Sequence, residues 1–380
     1  MHDFTYRDGV LHCEGVSLAD LAARHGTPLY VYSSATIRGH FRRLDRALQG
    51  LDHRLCFALK ANSNLAVLDL LAREGAGFDI VSGGELFRVL RAGGRADLCT
   101  FAGVGKTREE IEYALREGVH CFNVESEPEL VVINEVAGAL GVKAPVALRV
   151  NPDVDAQTHK YISTGKSHNK FGIGLDRILG VYAEAAALPN LVIRGIQTHI
   201  GSQILETAPF VEALGKLVPL VREVKARHSI EFFSIGGGLG IIYRDTLGSG
   251  KSAWWESAEG QPPPRMTFDD YAAAVVPLLR DLGLKILLEP GRCIVGNAGA
   301  LLATVLYVKR TPAKTFLVTD AGMNDLIRPA LYEGHHEIVP VREPSEGAPM
   351  HPVDVVGPVC ESGDFFAQDR PMPECRAGEG

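Results

Sequence analysis

The apolar run Leu55-Cys56-Phe57-Ala58-Leu59 ends in Lys60 and passes into the small polar residues Ala61-Asn62-Ser63-Asn64. A lysine handed to a pocket by a strand can form a Schiff base once desolvation lowers its hold on a proton. The competing reading is a solvated lysine that opens a loop. Other stretches carry chemistry of their own. Asp79, in Gly77-Phe78-Asp79-Ile80, could orient the Lys60 amine or cap the helix that follows. His199, in Thr198-His199-Ile200-Gly201-Ser202-Gln203, could stack on a ring or bond to backbone in the core. The glycines of Gly236-Gly237-Gly238-Leu239-Gly240 let backbone N–H groups come close to an anion. Glu289-Pro290-Gly291-Arg292 adds a second such approach, a guanidinium and a carboxylate.

These residues need elements that bring them to one place. Strand and helix alternate from residue 34 onward, and eight strands are expected near 55–60, 77–82, 98–102, 120–124, 145–150, 191–198, 231–235 and 284–288. Asn64 caps the helix after the first, and Thr107-Arg108-Glu109-Glu110 reads as a capping box. Eight alternations argue for a (β/α)₈ barrel, whose chemistry lies at the carboxyl ends of the strands. Lys60, Asp79, Arg149, Asn151, His199, the glycine run and Glu289 to Arg292 all fall at those ends. Barrels often bind phosphate in the loops after strands seven and eight, where the two glycine-containing segments lie. A Schiff-base lysine, a phosphate cradle and a carboxylate together describe a site for pyridoxal phosphate. Glu289 would keep the ring nitrogen protonated, and His199 would lie on the ring face.

Beyond Gly299 the texture becomes β-rich, with segments expected at 301–309, 315–319, 337–341 and 352–356. The first residues form a hairpin around Asp8-Gly9 and have no helix partner, so they are expected to join this second domain. The domains are therefore drawn as 1–33, N-terminal strands packing with the β domain; 34–292, the barrel; and 293–380, the β domain. A polar loop at 151–171 and an insertion at 247–265, with Trp254-Trp255 and three consecutive prolines, interrupt the pattern.

The chain has 380 residues, 46% hydrophobic and 22% charged, with net charge -7, so a basic nucleic-acid surface is not expected. No apolar run reaches bilayer length, and the amino terminus lacks a signal-peptide pattern, so the expectation is a cytoplasmic protein without a membrane segment. The seven cysteines form no CxxC pair, which suggests neither a disulfide framework nor a metal site.

The segments Phe57 to Asn62, His199 to Gln203, Gly236 to Gly240, Glu289 to Arg292, Asp320-Ala321-Gly322-Met323-Asn324, Arg328-Pro329-Ala330-Leu331-Tyr332 and Gly357-Pro358-Val359-Cys360-Glu361-Ser362-Gly363-Asp364 occur in order along the chain. As a set they resemble the fold-type III pyridoxal phosphate decarboxylases, barrels of the alanine racemase type, and among them the diaminopimelate-decarboxylating members. The resemblance implies an α/β fold, a (β/α)₈ TIM barrel with a C-terminal β-sandwich or β-barrel domain joined by the N-terminal strands. It implies that Lys60 carries pyridoxal 5'-phosphate, that His199 stacks on it, and that Ser202, Gly237, Gly238, Gly240, Gly291 and Arg292 surround its phosphate. Asp79 and Glu289 complete the cofactor set. Arg292, Arg328 and Tyr332 would hold a small amino-acid substrate. Cys360 and Glu361 would come from the second subunit of a homodimer with active sites at the interface, Cys360 as a catalytic proton donor and Glu361 for the substrate's distal ammonium.

The implied reaction is decarboxylation of meso-diaminopimelate to L-lysine, with ornithine, arginine or carboxynorspermidine as alternative substrates. The relatives continue into a Gly-Ala-Tyr-Gly segment that this sequence lacks, so the β domain is expected to be cut short at its C-terminal end. A non-catalytic cofactor-binding relative is the alternative which that absence raises.

Overall fold

The computed structural model describes residues 2–155, 170–244, 246–247 and 266–380. Most of the 151–171 loop and of the 247–265 insertion, Trp254-Trp255 included, lies outside the described residues. The chain divides into two compact units, one of residues 38–241 and 263–296, the other of residues 1–37, 242–262 and 297–380.

The second unit contains the chain's start. There β1 (Phe4–Arg7), β2 (Val10–Cys13) and β3 (Val16–Ser17) form an antiparallel sheet, followed by α1 (Leu18–His25) and β4 (Leu29–Tyr32). Alternation puts Phe4, Leu11 and Cys13 inward, where they pack with Leu18, Leu302 and Val341. Glu14 accepts the Ala35 N–H at 2.9 Å and so caps α2 (Ser34–Ala47) from a distant strand end.

The barrel unit then runs β5 (His53–Ala58), α3 (Leu65–Arg73), β6 (Gly77–Ile80), α4 (Gly83–Arg91), β7 (Cys99–Phe101), α5 (Arg108–Glu117), β8 (Cys121–Val124), α6 (Glu127–Leu140) and β9 (Ala144–Asn151). It continues through β10 (Ile173–Gly174), α7 (Ile178–Ala187), β11 (Leu191–Thr198), α8 (Ala208–His228), β12 (Phe232–Ser234), α9 (Phe268–Leu279), β13 (Lys285–Leu288) and α10 (Arg292–Val295). Strands β5, β6, β7, β8, β9, β11, β12 and β13 pair in parallel in that order, and β13 returns to β5. The ring is a closed eight-stranded barrel, with β10 added beside β9. Its strands are covered on both faces, which is why β6 and β8 are buried along their whole length. Local signals agree with the elements: Asn64 accepts the Ala66 N–H at the start of α3, and Thr107 with Glu110 forms a capping box on α5.

Past the barrel, β14 (Gly299–Leu302) pairs with β4. A mixed sheet follows, ordered β15 (Val305–Arg310), β16 (Thr315–Thr319), β17 (His351–Val356) and β18 (Phe365–Met372), with α11 (Arg328–Tyr332) between β16 and β17. Two expectations are corrected here. The segment 301–309 is two strands, β14 and β15, rather than one. Residues 337–341 form no strand: Pro340 has no N–H to give a ladder, and Val341 instead accepts from the Leu11 N–H at 2.8 Å.

Candidate active site

Lys60 stands just past β5, in a short 3₁₀ turn of Leu59–Ala61. Its side chain is half exposed, and Nζ lies 3.6 Å from Oδ2 of Asp79, which is buried within β6. At that distance the two form an ion pair without a direct hydrogen bond, and Oδ2 has no hydrogen-bond partner. Burial raises the Asp79 carboxyl above its ordinary range, and the Lys60 charge opposes that shift. Asp79 is not a helix cap, because Ser82 fills that role for α4 by accepting the Glu85 N–H.

The loops after β12 and β13 interleave tightly beside this pair. The Glu289 N–H donates to the Gly236 carbonyl at 2.8 Å. A Cβ on Gly237 would lie 2.2 Å from the Glu289 carbonyl oxygen, so only glycine fits. Gly291 packs against the Lys60 turn, where a Cβ would meet those of Ala61 and Ala58 at 3.1 and 3.3 Å. Gly238, at φ 108°, approaches the Gly201 carbonyl in a conformation that favours glycine. The Gly237 N–H donates to His199 Nδ1 at 3.2 Å and the Gly240 N–H to the Ile204 carbonyl at 2.9 Å. Among the described residues, the N–H groups of Gly238, Leu239 and Gly291 have no protein acceptor. An Arg292 N–H donates to Ser202 Oγ at 3.2 Å, which joins the loop after β11 to that after β13.

His199 accepts at Nδ1, so it is the backbone-bonded histidine of one reading while also standing beside the glycine loop. Burial above all, then the Lys60 and Arg149 charges, drives its proton affinity well below the ordinary value. It is a neutral ring. Glu289 is buried, and its carboxyl is pushed up to about 7 by burial first and by repulsion from Asp79 second. Its oxygens accept from Ser234 Oγ at 2.7 Å, Gln197 Nε2 at 2.9 Å and Asn123 Nδ2 at 3.3 Å.

A second buried network stands at the ends of β8 and β9. Arg149 pairs with Glu125 at 2.6 Å, and Glu125 also accepts the Gly172 N–H at 2.9 Å. Lys106 donates to the carbonyls of Gly103 and Asn123 and to Glu129, at 2.7, 2.9 and 2.6 Å. Removing one member of such a pair strands a buried charge, at a cost of about 3–5 kcal/mol.

In the other unit, Arg328 lies over the Tyr243 ring at 4.0 Å and donates to His336 Nε2 at 3.0 Å. Tyr332 ends α11, the helix that Arg328 begins. Cys360 and Glu361 are exposed on a turn pinned by Asp364, whose carboxylate accepts the Val359 and Met323 N–H groups at 2.7 and 2.6 Å.

Lys60, Asp79, His199, Ser202, the glycines, Glu289 and Arg292, all expected from the sequence, stand at one end of the barrel. Asn123, Gln197, Ser234, Glu125 and Lys106, not expected from the sequence, join the buried networks there. The first three carried a usable signal, since a polar residue inside a parallel strand buried on both faces needs a specific partner.

A half-exposed amine beside a buried carboxylate, two glycine loops with unengaged N–H groups, an arginine–serine pair and a second buried carboxylate fit a pyridoxal phosphate. The fold and site are those of a pyridoxal-phosphate-dependent barrel enzyme. Residues 34–296 match the family described as pyridoxal-dependent decarboxylase, pyridoxal binding domain. The chain is 52% identical over 373 residues to the diaminopimelate decarboxylase of Pseudomonas aeruginosa, covering 98% of this chain and 85% of that one. It is 50% identical over 375 residues to the Vibrio cholerae enzyme of the same name, again over 98% and 85%. Among solved structures, the Helicobacter pylori diaminopimelate decarboxylase complexed with L-lysine superposes with a TM-score of 0.86 at 39% identity, covering 95% of this chain and 86% of that one. The M. jannaschii diaminopimelate decarboxylase in co-complex with L-lysine gives 0.88 at 34% identity, over 100% and 87%. The chain belongs to the diaminopimelate decarboxylase family of pyridoxal-dependent decarboxylases.

Proposed function

We infer that the chain decarboxylates meso-diaminopimelate to L-lysine, the last step of lysine biosynthesis, with pyridoxal phosphate as its cofactor. The observation that carries this is the Lys60 amine 3.6 Å from buried Asp79, at the barrel end where Glu289 and the glycine loops also stand. When bound, the cofactor supplies a conjugated ring that takes up the electron pair left as the bond from Cα to the carboxylate breaks.

The chain's residues do the rest. Lys60 holds the cofactor covalently and Asp79 orients its amine. The N–H groups of Gly238 and Gly291, with Ser202 and Arg292, surround the phosphate, and Gly237 and Gly240 shape the loop by admitting close backbone contacts. His199, uncharged, covers the ring face without adding a competing charge. Glu289 keeps a proton on the ring nitrogen, and that proton relieves the cost of its own burial. Arg292, Arg328 and Tyr332 hold the substrate.

Cys360 and Glu361 are exposed, as residues lent to a neighbouring subunit must be in one chain, and this supports a homodimer with shared sites. There Cys360 delivers the proton that replaces the carboxylate, and Glu361 receives the distal ammonium. Glu361 and Arg328 together match a distal end bearing both an ammonium and a carboxylate, which ornithine lacks. The setting is the cytoplasm, consistent with the lack, among the described residues, of any helix long and apolar enough to cross a membrane.

The test is carbon dioxide release with added pyridoxal phosphate across meso-diaminopimelate, ornithine, arginine, lysine and carboxynorspermidine. Release from meso-diaminopimelate alone is expected, and preferred release from any other would reassign the substrate.

A further inference from the structure

We propose that Asn123, Gln197 and Ser234, polar side chains on three separate barrel strands, are positioning residues that hold Glu289 as an oriented anion for the cofactor's ring nitrogen. The inference rests on the functional reading above. All three are fully buried, on β8, β11 and β12, and all three donate to the same carboxylate beyond β13. Ser234 and Asn123 address Oε1, and Gln197 addresses Oε2.

A parallel barrel interior is ordinarily filled by branched apolar side chains, and each buried polar group is costly without a partner. Two acceptors here stay without one: Asn123 Oδ1 and Gln197 Oε1 are buried and unbonded. Both amides therefore turn their donors to Glu289 and leave their oxygens unsatisfied. That orientation stabilises a charged carboxylate and does nothing comparable for a protonated one.

The need for three donors follows from the surroundings. Burial and Asp79 both favour the neutral acid, and Lys60 is a weaker opposing influence. Ser234 Oγ also accepts the Gly236 N–H at 3.4 Å, which ties the clamp to the glycine loop. With the donors in place the shared proton stays on the ring nitrogen. Without them it moves to Glu289, and the ring becomes a poorer acceptor of electrons.

The test uses the full chain loaded with pyridoxal phosphate isotope-labelled at the ring nitrogen, read by nitrogen NMR, alongside steady-state kinetics. Ser234→Ala removes one oxygen atom, and Gln197→Met removes a donor at nearly constant volume. The expected result is a ring-nitrogen signal shifted from protonated toward unprotonated in each variant, a proton partition changed by roughly tenfold or more. A loss in kcat at nearly constant KM should accompany it. If Gln197→Met fails to fold, Ser234→Ala alone decides the matter. Bound cofactor with an unshifted signal in Ser234→Ala would overturn the inference and leave the functional reading intact. Failure of the unaltered chain to bind the cofactor would overturn both.

Discussion

Asp79 Oδ2 faces Lys60 Nζ across 3.6 Å, a buried carboxylate oxygen with no hydrogen-bond donor of its own aimed at a half-exposed amine, while Oδ1 accepts from Thr100 Oγ1 at 3.5 Å. Borohydride reduction followed by peptide mapping should therefore find the cofactor on Lys60. Lys106 is no competitor, because three acceptors already surround its amine and its side chain is 1% exposed. Lys60→Ala should bind cofactor without covalent attachment. Recovery of the label on Lys106 or Lys170 would remove Lys60 from its role.

Glu361 is expected to meet the distal ammonium of the substrate. Losing a hydrogen bond to a charged group costs about 1.5–3 kcal/mol, so Glu361→Gln should reduce kcat/KM for meso-diaminopimelate by roughly tenfold or more. The cofactor spectrum should not change. Equal efficiency in the two proteins would exclude the residue from the substrate site.

Lys60→Ala and Cys360→Ala should each be nearly inactive alone and regain activity once mixed and allowed to exchange subunits. A mixed dimer holds one site free of both changes. No recovery after exchange has been demonstrated would mean that each chain builds its site alone.

The turn bearing Cys360 and Glu361 depends on Asp364, which is buried and bonded to the Val359 and Met323 N–H groups. Asp364→Ala leaves both donors without a partner, at about 1–3 kcal/mol each. Thermal melts should show lower stability. Turnover should fall more than cofactor affinity, and an unaltered melting temperature would show that the turn holds itself.

Glu289 has a carboxyl raised above its ordinary value, to about 7, so the protonated form favours the folded protein. That contribution is fully present below the unfolded value and is lost as pH rises through about 7. Cofactor-free protein should therefore melt at lower temperature at pH ~8 than at pH ~6. Glu289→Gln has no proton to lose and should flatten that slope, and parallel slopes in the two proteins would assign the effect elsewhere.

The barrel was legible because its signals are local. Strand-length apolar runs, the Asn64 cap and the Thr107 capping box act within a few residues, and eight repeats of strand and helix leave few ways to pack. The gathering of Lys60, Asp79, His199, the glycines and Glu289 at one end of the barrel was legible too, because each lies at or near the carboxyl end of an expected strand. Folding decided what depends on distant partners. Asp79 could have been a cap or an orienting carboxylate, and only the place of Ser82 at the start of α4 separates the two. Residues 337–341 are β-like in composition but pass by as irregular chain, since ladder pairing needs a donor that Pro340 lacks. The Asn123, Gln197 and Ser234 clamp joins residues 111 apart in sequence between its ends, from 123 to 234, and no pattern of period or composition encodes such a meeting. A side chain's type is set by the sequence, but its electrostatic surroundings arise only when closure of the barrel removes water from between strands far apart in the chain.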